Sequence, residues 1–300
     1  MLTVLAHAKI NYTLDILGRR EDGYHELETV MQSIHLHDKL VIEPSDHISL
    51  SLDSQHGIGL WLPTDHRNDI IRAATLLQQQ TGVKQGAHFH MTKYIPVQAG
   101  LGGGSADAAA ALVGLNRFWG LNLSMQELTQ LAAQIGSDVA FLLRGGLALG
   151  RGRGEQLTLL KPPSKRWLVL FKPQTGMSTS RAFDNYTWSE ESAPRYSQAF
   201  IRALREEHNP LDYLGNHLQP SVFSQLPELA EFGEKLTKAG VAHWSMTGSG
   251  SCIYAFASNR RQALQWRDDF APSRWWCFVT STIDHGVHVR EPSRKGRDDG

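Results

Sequence analysis

Residues 96–111 read PVQAGLGGGSADAAAA, with four glycines placed directly before an alanine-rich run. Glycine adopts positive φ angles readily and lets a ligand come close to the backbone. Alanine is the strongest helix former, so a helix is predicted over Ser105–Trp119. The free N–H groups and the positive dipole end of that helix would suit a phosphate. The stretch indicates an anion-binding loop; the alternative, a flexible linker, rarely lies directly against so strong a helix.

Three familiar nucleotide-binding loops do not fit this context. A Walker P-loop requires GxxxxGK[ST], and no lysine follows the glycines. A dinucleotide-binding fingerprint requires a strand after the helix, whereas Ser124 and Glu127 predict the capping box of a second helix there. A protein-kinase glycine loop lies in a hairpin before a lysine-bearing strand. The residues of the loop alone therefore leave the class of nucleotide-binding protein open.

The remaining pattern predicts an α+β fold in two domains. Strands dominate the part before the glycines, where Ala6–Ile16 alternates apolar and polar residues as a half-buried strand does. Helices follow the glycines, and both kinds of element mix in the second half. We predict an N-terminal domain over residues 1–155, a C-terminal domain over residues 156–290, and a loose charged tail over residues 291–300.

Local signals predict several element limits in the first domain. Asn68 is a suitable N-cap for a helix that Gly82 would end. Gly136 would stop the helix that begins at Ser124, and a short helix is predicted over Ser137–Leu143. The glycine-rich segment Gly145–Gly154 is expected to lead toward the second domain.

Composition argues against several classes of partner. Lys plus Arg and Asp plus Glu number 30 each, which gives no sign of a nucleic-acid or membrane-surface partner. No apolar run approaches the ~20 residues of a membrane span, and the N-terminus does not read as a signal peptide. The two cysteines, Cys252 and Cys277, lack metal or redox spacing and favour a reducing cytoplasm. Both a monomer and a homodimer remain open.

Three motifs, in order, resemble those of the GHMP kinases. They are AKIN at residues 8–11, PVQAGLGGGS at residues 96–105 and TGSGS at residues 247–251. Within that family, residues 8–27 (AKINYTLDILGRREDGYHEL) and 136–155 (GSDVAFLLRGGLALGRGRGE) are most similar to members that act on a cytidylated methylerythritol. The resemblance runs from Ala8 to about Ala257, nearly the whole chain.

The resemblance implies a fold, a reaction and a set of ligands. The fold would be a two-domain GHMP kinase architecture with the active site in the cleft between the domains. The reaction would transfer the γ-phosphate of ATP, with Mg²⁺, to the 2-hydroxyl of a cytidine diphosphate-linked methylerythritol. This is a step in non-mevalonate isoprenoid precursor synthesis. A different GHMP kinase, for homoserine or mevalonate, is the alternative enzyme. A catalytically silent GHMP-fold protein is the alternative outside enzymes.

The resemblance also assigns roles to single residues. Lys9 and Asp138 match the catalytic pair, with Asp138 as the base. By residue type alone, a solvated lysine and a first-turn helix carboxylate would be favoured. ATP would contact the loop residues Pro96, Val97, Gln98, Ala99, Gly100, Leu101, Gly102, Gly103, Gly104, Ser105 and Ala106. The acceptor substrate would contact Asn11, Tyr24, His25, Lys93 and Phe183.

Tyr24 and Phe183 would stack on the cytosine, and His25 would bind its edge. Lys93 could equally be an ordinary surface lysine. The chain departs from the family at Ala140, usually proline, and at Ala106, often serine, and no Mg²⁺ ligand is assigned.

The chain has fourteen histidines, which raises the question of a metal site. The pairs His35 with His37 and His88 with His90 are spaced i, i+2 on predicted strands. Because the sequence shows no third ligand beside either pair, both pairs are interpreted as structural.

Overall fold

A computed structural model describes residues 1–53, 62–186 and 195–290 of the chain. The predicted tail at residues 291–300 lies outside the described residues. The helices are α1 (Asp69–Thr81), α2 (Gly103–Phe118), α3 (Met125–Ile135), α4 (Ser137–Arg144), α5 (Thr179–Asp184), α6 (Tyr196–Arg205), α7 (Gln219–Gln225), α8 (Pro227–Lys238) and α9 (Arg260–Phe270). No helix in these ranges is long and apolar enough to cross a bilayer.

The strands form two sheets. They are β1 (Leu2–Arg19), β2 (His25–Ser45), β3 (Ile48–Asp53), β4 (Gly86–Thr92), β5 (Leu147–Gly152), β6 (Gln156–Leu160), β7 (Trp167–Lys172), β8 (Gly215–Asn216), β9 (Trp244–Met246), β10 (Ile253–Ala257), β11 (Trp276–Ser281) and β12 (Val287–Arg290). The first sheet has the order β12-β1-β2-β4-β3, with β5 and β8 paired to β2 and β1, and β6 to β5. The second sheet has the order β11-β7-β10-β9.

Helix limits follow the capping residues of the sequence closely. Asn68 caps α1 by accepting a hydrogen bond from the Ile70 N–H, and Gly82 ends the helix in the left-handed conformation. Ser124 and Glu127 form the predicted capping box of α3. The alanines of α2 are buried, and their small side chains let the helix pack closely against β1, β2 and the neighbouring helices. These predictions are confirmed. The helix limits were predictable because they depend on contacts between residues close in sequence.

Strand β1 is buried on both faces, so the prediction of a half-buried strand is wrong. Two of its polar side chains, Thr13 and Asp15, have partners in the second half of the chain. The Thr13 hydroxyl is 2.7 Å from that of Ser197, and Asp15 accepts hydrogen bonds from the N–H groups of Tyr196 and Ser197 at 3.1 and 2.8 Å. Helix α6 therefore begins on a carboxylate of β1.

The strand pairing of the first sheet extends past residue 155, the predicted division. Most of the segment Gly145–Gly154 forms β5, which is hydrogen-bonded to β2. Strand β6 continues the first sheet, and β12 returns the chain to β1. A separate apolar core, distinct from that of the first sheet, packs between the second sheet and α7–α9. The domain limits themselves stay a prediction.

Candidate active site

The glycine segment crosses from β4 to α2 as a tight loop. Gly100 and Gly102 have φ angles of 73° and 70°, where a side chain would be strained. A Cβ on Gly100 would also collide with the carbonyl of Thr247. The N-cap residue of α2 is Gly102, which has no side chain, so the first N–H groups of the helix have no side-chain cap among the described residues. The loop thus has the backbone geometry of a phosphate-binding turn.

The loop is held against the third motif of the sequence. The Thr247 hydroxyl donates to the Gly100 carbonyl at 3.1 Å, and the Cys252 N–H donates to the Ala99 carbonyl at 3.2 Å. The Asn11 N–H in turn donates to the Thr247 hydroxyl at 3.0 Å. Residues far apart in sequence therefore fix the position of the glycines relative to β1.

Lys9 and Asp138 meet beside this loop. The Lys9 ammonium lies 3.3 Å from the Asp138 carboxylate and donates to the Asn11 amide oxygen at 2.7 Å. Lys9 is buried, whereas a third of the Asp138 side chain is exposed. A Cβ on Gly102 would lie 3.1 Å from Lys9 Cγ, so the loop contacts the lysine stem. The pair can therefore reach a group bound at the loop, and Asp138 retains an open side.

Lys93 is buried and is not a surface lysine. Its ammonium lies 2.5 Å from an Asp38 oxygen and 2.7 Å from an Asp107 oxygen. Asp38 also accepts the N–H groups of Tyr94 and Ile95 with its other oxygen. The other oxygen of Asp107 has no hydrogen-bond partner among the described residues. We call Lys93, Asp38 and Asp107 the Lys93 cluster.

Sequence analysis did not single out the two carboxylates of this cluster. Asp38 lies in the strand segment HLHDKL, and Asp107 is the one charged residue in the alanine-rich start of α2. A lone carboxylate within an alanine run, on a helix that must be buried, is the signal that could have indicated a buried cation.

The predicted substrate residues lie at the other end of the cleft. The His25 ring stacks on Phe183 with ring centres 5.1 Å apart and an angle of 28° between the planes. Tyr24 is 56% exposed, and the Arg153 guanidinium lies 4.8 Å from its ring centre. Burial, and to a smaller extent the charge of Arg19, lowers the pKa of His25, so its ring is neutral at neutral pH. The stacked His25 ring covers one face of the Phe183 ring.

One cavity of about 880 Å³ joins all these regions. Its lining includes Lys9, Asn11, Tyr24, His25, Lys93, Asp138 and Phe183 together with residues 96–105. Ala106, which was predicted with the loop, is fully buried in α2 and does not line the cavity. The cavity also borders Arg67, Asn68 and Asp69, for which the sequence predicted no role in a site.

Known proteins share both halves of this architecture. Residues 68–146 match the GHMP kinases N terminal domain, and residues 197–271 match the GHMP kinases C terminal domain. A 4-diphosphocytidyl-2-C-methyl-D-erythritol kinase of Pelotomaculum thermopropionicum is 45% identical over 95% of this chain and 99% of its own. The protein of that name from Acetivibrio thermocellus is 35% identical over 94% and 99%.

Solved structures agree. A crystal structure of 4-(cytidine 5'-diphospho)-2C-methyl-D-erythritol kinase superposes with a TM-score of 0.73 at 32% identity, covering 94% of this chain and 99% of the other. A homoserine kinase of Cytophaga hutchinsonii has the same TM-score at 19% identity, over 96% and 97%, and shows the fold alone. The predicted α+β fold is confirmed. The chain belongs to the GHMP kinases, ATP-dependent phosphotransferases, and among them to the 4-diphosphocytidyl-2-C-methyl-D-erythritol kinase family.

Proposed function

We propose that this protein transfers the γ-phosphate of ATP to the 2-hydroxyl of 4-diphosphocytidyl-2-C-methyl-D-erythritol, in isoprenoid precursor synthesis. The observation that carries the proposal is one cavity bordered by the glycine loop, the Lys9–Asp138 pair and the His25–Phe183 pair. These regions correspond to a phosphate site, a reaction centre and a base site. The relatives that bear this enzyme name are 35–45% identical to the chain.

Asp138 acts as the general base in this proposal. Its partly exposed carboxylate accepts the proton of the 2-hydroxyl as the hydroxyl oxygen attacks the γ-phosphorus. The Lys9 ammonium balances negative charge near the attacking oxygen, and Asn11 holds that ammonium in place. Phosphoryl transfer has a loose transition state, so positioning and charge balance contribute more than base strength.

The glycine loop binds the phosphates through its backbone. Gly100 and Gly102 take positive φ angles, where a side chain would be strained, and this fits a loop that binds a polyanion through its backbone. Mg²⁺ bound with ATP would neutralise phosphate charge. No cluster of three or more acidic, histidine or cysteine side chains in the described ranges could hold the ion by itself, and we assign it no ligand.

The cytosine binds at Tyr24, His25 and Phe183. A base stacked on an aromatic ring gains ~1–3 kcal/mol. A neutral His25 offers one donor and one acceptor nitrogen, which suits the edge of cytosine. Because His25 covers one face of Phe183, the base takes either the opposite face or the place of the histidine ring.

The test is phosphorus NMR of the products after incubation with ATP, Mg²⁺ and the cytidylated methylerythritol. We expect a new phosphomonoester resonance and ADP, and no such product when homoserine or mevalonate replaces the acceptor. Product formed only with homoserine or mevalonate would reject the proposed substrate. ATP left unchanged with every acceptor would reject kinase activity.

We further infer a cytoplasmic location, a monomer or homodimer, and no nucleic-acid partner. Cys252 is buried and Cys277 partly buried, and both are free thiols, which suits a reducing compartment. The balanced charge of the chain supports the absence of a nucleic-acid partner.

A further inference from the structure

A second cavity, of about 490 Å³, borders strand β2. Glu28 lines it, whereas the neighbouring Leu27 and Thr29 line the cavity of the candidate active site. Successive side chains of a strand point to opposite faces of the sheet, so β2 forms a wall of both cavities. The volume falls within the ~300–1,000 Å³ of small-molecule sites. We call this second space the arginine cavity.

The first sheet supplies the floor of the arginine cavity. Strand pairing places Arg151 of β5 opposite Glu28 of β2. Leu149, two residues before Arg151, lies opposite Thr158 of β6, and Leu160 follows Thr158 by two residues. Opposed residues of paired strands share a face of the sheet, as do residues two apart in one strand. The floor therefore combines apolar side chains with one charged pair.

Helix α6 supplies the wall. Four of its residues border the cavity at the spacing i, i+3, i+4, i+7, namely Gln198, Ile201, Arg202 and Arg205. This spacing places them on one face of the helix. The start of α6 is fixed to the sheet, because the Ser197 hydroxyl donates to the Glu28 carbonyl at 3.1 Å. The position of this helix face relative to the floor is therefore set by hydrogen bonds.

Positive charge exceeds negative charge around this cavity. Of the described residues that border it, three are arginines and two are glutamates, Glu28 and Glu206. In the described part of the chain, no carboxylate lies within ion-pair distance of the guanidinium group of Arg202 or Arg205. Both arginines are in the last turn of α6, where the helix dipole favours a cation. The dipole does not explain why Arg151 reaches the same cavity from a different element.

Glu28 holds Arg151 in place without using the other arginines. The guanidinium of Arg151 contacts one oxygen of Glu28 through Nε at 3.0 Å and Nη2 at 2.9 Å. These two contacts use one edge of the guanidinium and leave its Nη1 group for another acceptor. The other oxygen of Glu28 has no hydrogen-bond partner among the described residues. Arg202 and Arg205 therefore keep their charges for a further anion.

We propose that the arginine cavity binds a phosphate ester with an apolar body. Guanidinium groups form charge-assisted, often bidentate hydrogen bonds with phosphate. A phosphate ester carries about two negative charges at neutral pH and three acceptor oxygens, which matches the donors of Arg151, Arg202 and Arg205 together. A carboxylate has one charge and two oxygens, and it would leave part of this donor set unused.

The apolar part of the ligand is inferred from the remaining lining. Leu149 is buried, and Leu160 and Ile201 are partly exposed toward the cavity. Removal of their surface from water favours a ligand with a hydrocarbon or aromatic portion. An inorganic anion would leave this surface uncovered. The site therefore differs from the glycine loop, which offers backbone N–H groups to phosphate.

The test is an NMR titration of the full-length protein with phenyl phosphate, which yields a dissociation constant. We expect saturable binding to the wild type. Arg202→Gln and Arg205→Gln each remove an exposed guanidinium without an ion-pair partner, so both variants should fold. Each should raise the dissociation constant about 10–100-fold, the usual effect of losing a hydrogen bond to a charged group. Inorganic phosphate, which lacks the ring, and benzoate, which lacks the phosphate, should bind more weakly.

The matched control is Arg261→Gln. Arg261 is an exposed arginine of α9 that lines neither cavity, and its loss changes the net charge equally. This variant should bind phenyl phosphate as the wild type does. The proposal is rejected if the wild type shows no saturable binding, if Arg202→Gln and Arg205→Gln both bind as tightly as the wild type, or if Arg261→Gln weakens binding as much as they do.

The two simpler probes test the chemical class. Benzoate binding as tightly as phenyl phosphate would overturn the assignment of a phosphate. Inorganic phosphate binding as tightly would overturn the assignment of an apolar body.

Discussion

Two buried lysines border the same cavity, and their surroundings differ. Lys9 faces one carboxylate, Asp138, whose side chain is 33% exposed. Lys93 faces two carboxylates, Asp38 and Asp107, whose side chains are 1% and 6% exposed. Lys9 thus shares its charge with a group that a ligand can reach, whereas the charge of Lys93 is already matched inside the protein. The first arrangement suits chemistry and the second suits the anchoring of α2.

The charge balance of the Lys93 cluster explains the state of its second carboxylate. One ammonium cannot neutralise two buried carboxylates, and burial raises the pKa of Asp107 well above its ordinary value, against the attraction of Lys93. Burial alone would lower the pKa of Lys93, but Asp107 and Asp38 together raise it above the ordinary lysine value. Lys93 is therefore charged at neutral pH, and the burial of Asp107 favours its protonated form.

The largest effect is expected at Asp138. Asp138→Asn keeps the shape of the side chain and removes its charge and basicity, so turnover should fall by about 10²–10⁴. ATP and the cytidylated substrate should still bind. Steady-state kinetics check the prediction, with Asp268→Asn, at an exposed position of α9, as the control. Retention of more than about a tenth of wild-type turnover would remove Asp138 from the reaction.

Loss of the Lys93 ammonium should chiefly lower the free energy of unfolding. Lys93→Met leaves two carboxylates buried without a cation, and such a loss costs about 3–5 kcal/mol of unfolding free energy. Urea denaturation measures it. Lys238→Met is the control, because Lys238 forms an exposed pair with Glu234 worth ~0–1 kcal/mol. Equal stabilities of the two variants would show that the Lys93 cluster does not anchor the fold.

A substitution at Gly103 tests the point where the glycine loop contacts the Lys93 cluster. A Cβ there would lie 3.1 Å from both the Lys93 ammonium and a methyl carbon of Ile95. Gly103→Val should weaken ATP binding by ~1–3 kcal/mol, because the added side chain would meet Lys93 and Ile95 and displace the loop backbone that binds phosphate. The contact with Lys93 and Ile95 predicts a loss of thermal stability as well. Calorimetric titration with ATP is the measurement, and unchanged affinity in a folded variant would contradict the loop assignment.

The smallest effect concerns pH and Asp107. A carboxyl whose pKa is raised on folding favours the folded state at low pH, and this contribution is lost as the pH rises above the unfolded value of about 3.9 toward the raised value. Asp107→Asn removes that loss, so the variant should gain unfolding free energy relative to the wild type as the pH rises above about 4. Urea denaturation across this range checks it. A relative loss of stability with rising pH would mean that Asp107 is ionised in the folded protein.

Local chemistry made part of the structure predictable from sequence. The cap residues Asn68, Gly82 and Ser124, and the alanines after the glycine loop, determine their helices with contacts only a few residues away. The loop, Lys9 and Asp138 were found because three ordered motifs resemble a known family.

Contacts between residues far apart in the sequence explain the features that the sequence did not predict. Asp38 lies in β2, Lys93 directly follows β4 and Asp107 lies in α2, and no spacing rule connects them. The partners of Thr13 and Asp15 on β1 come from α6, about 180 residues later. The ring contacts of His7 with His37 and His285 likewise need the register of β1, β2 and the residues before β12.

The most direct test of the contrast between the two lysines is the rate of phosphoryl transfer in a single turnover of Lys9→Met. The unfolding free energy is measured on the same preparation. The account predicts a folded protein that binds ATP and the cytidylated substrate but transfers the phosphoryl group about 10²–10⁴-fold more slowly. Transfer within about tenfold of the wild-type rate would contradict the assignment of Lys9 and Asp138 as the reaction centre.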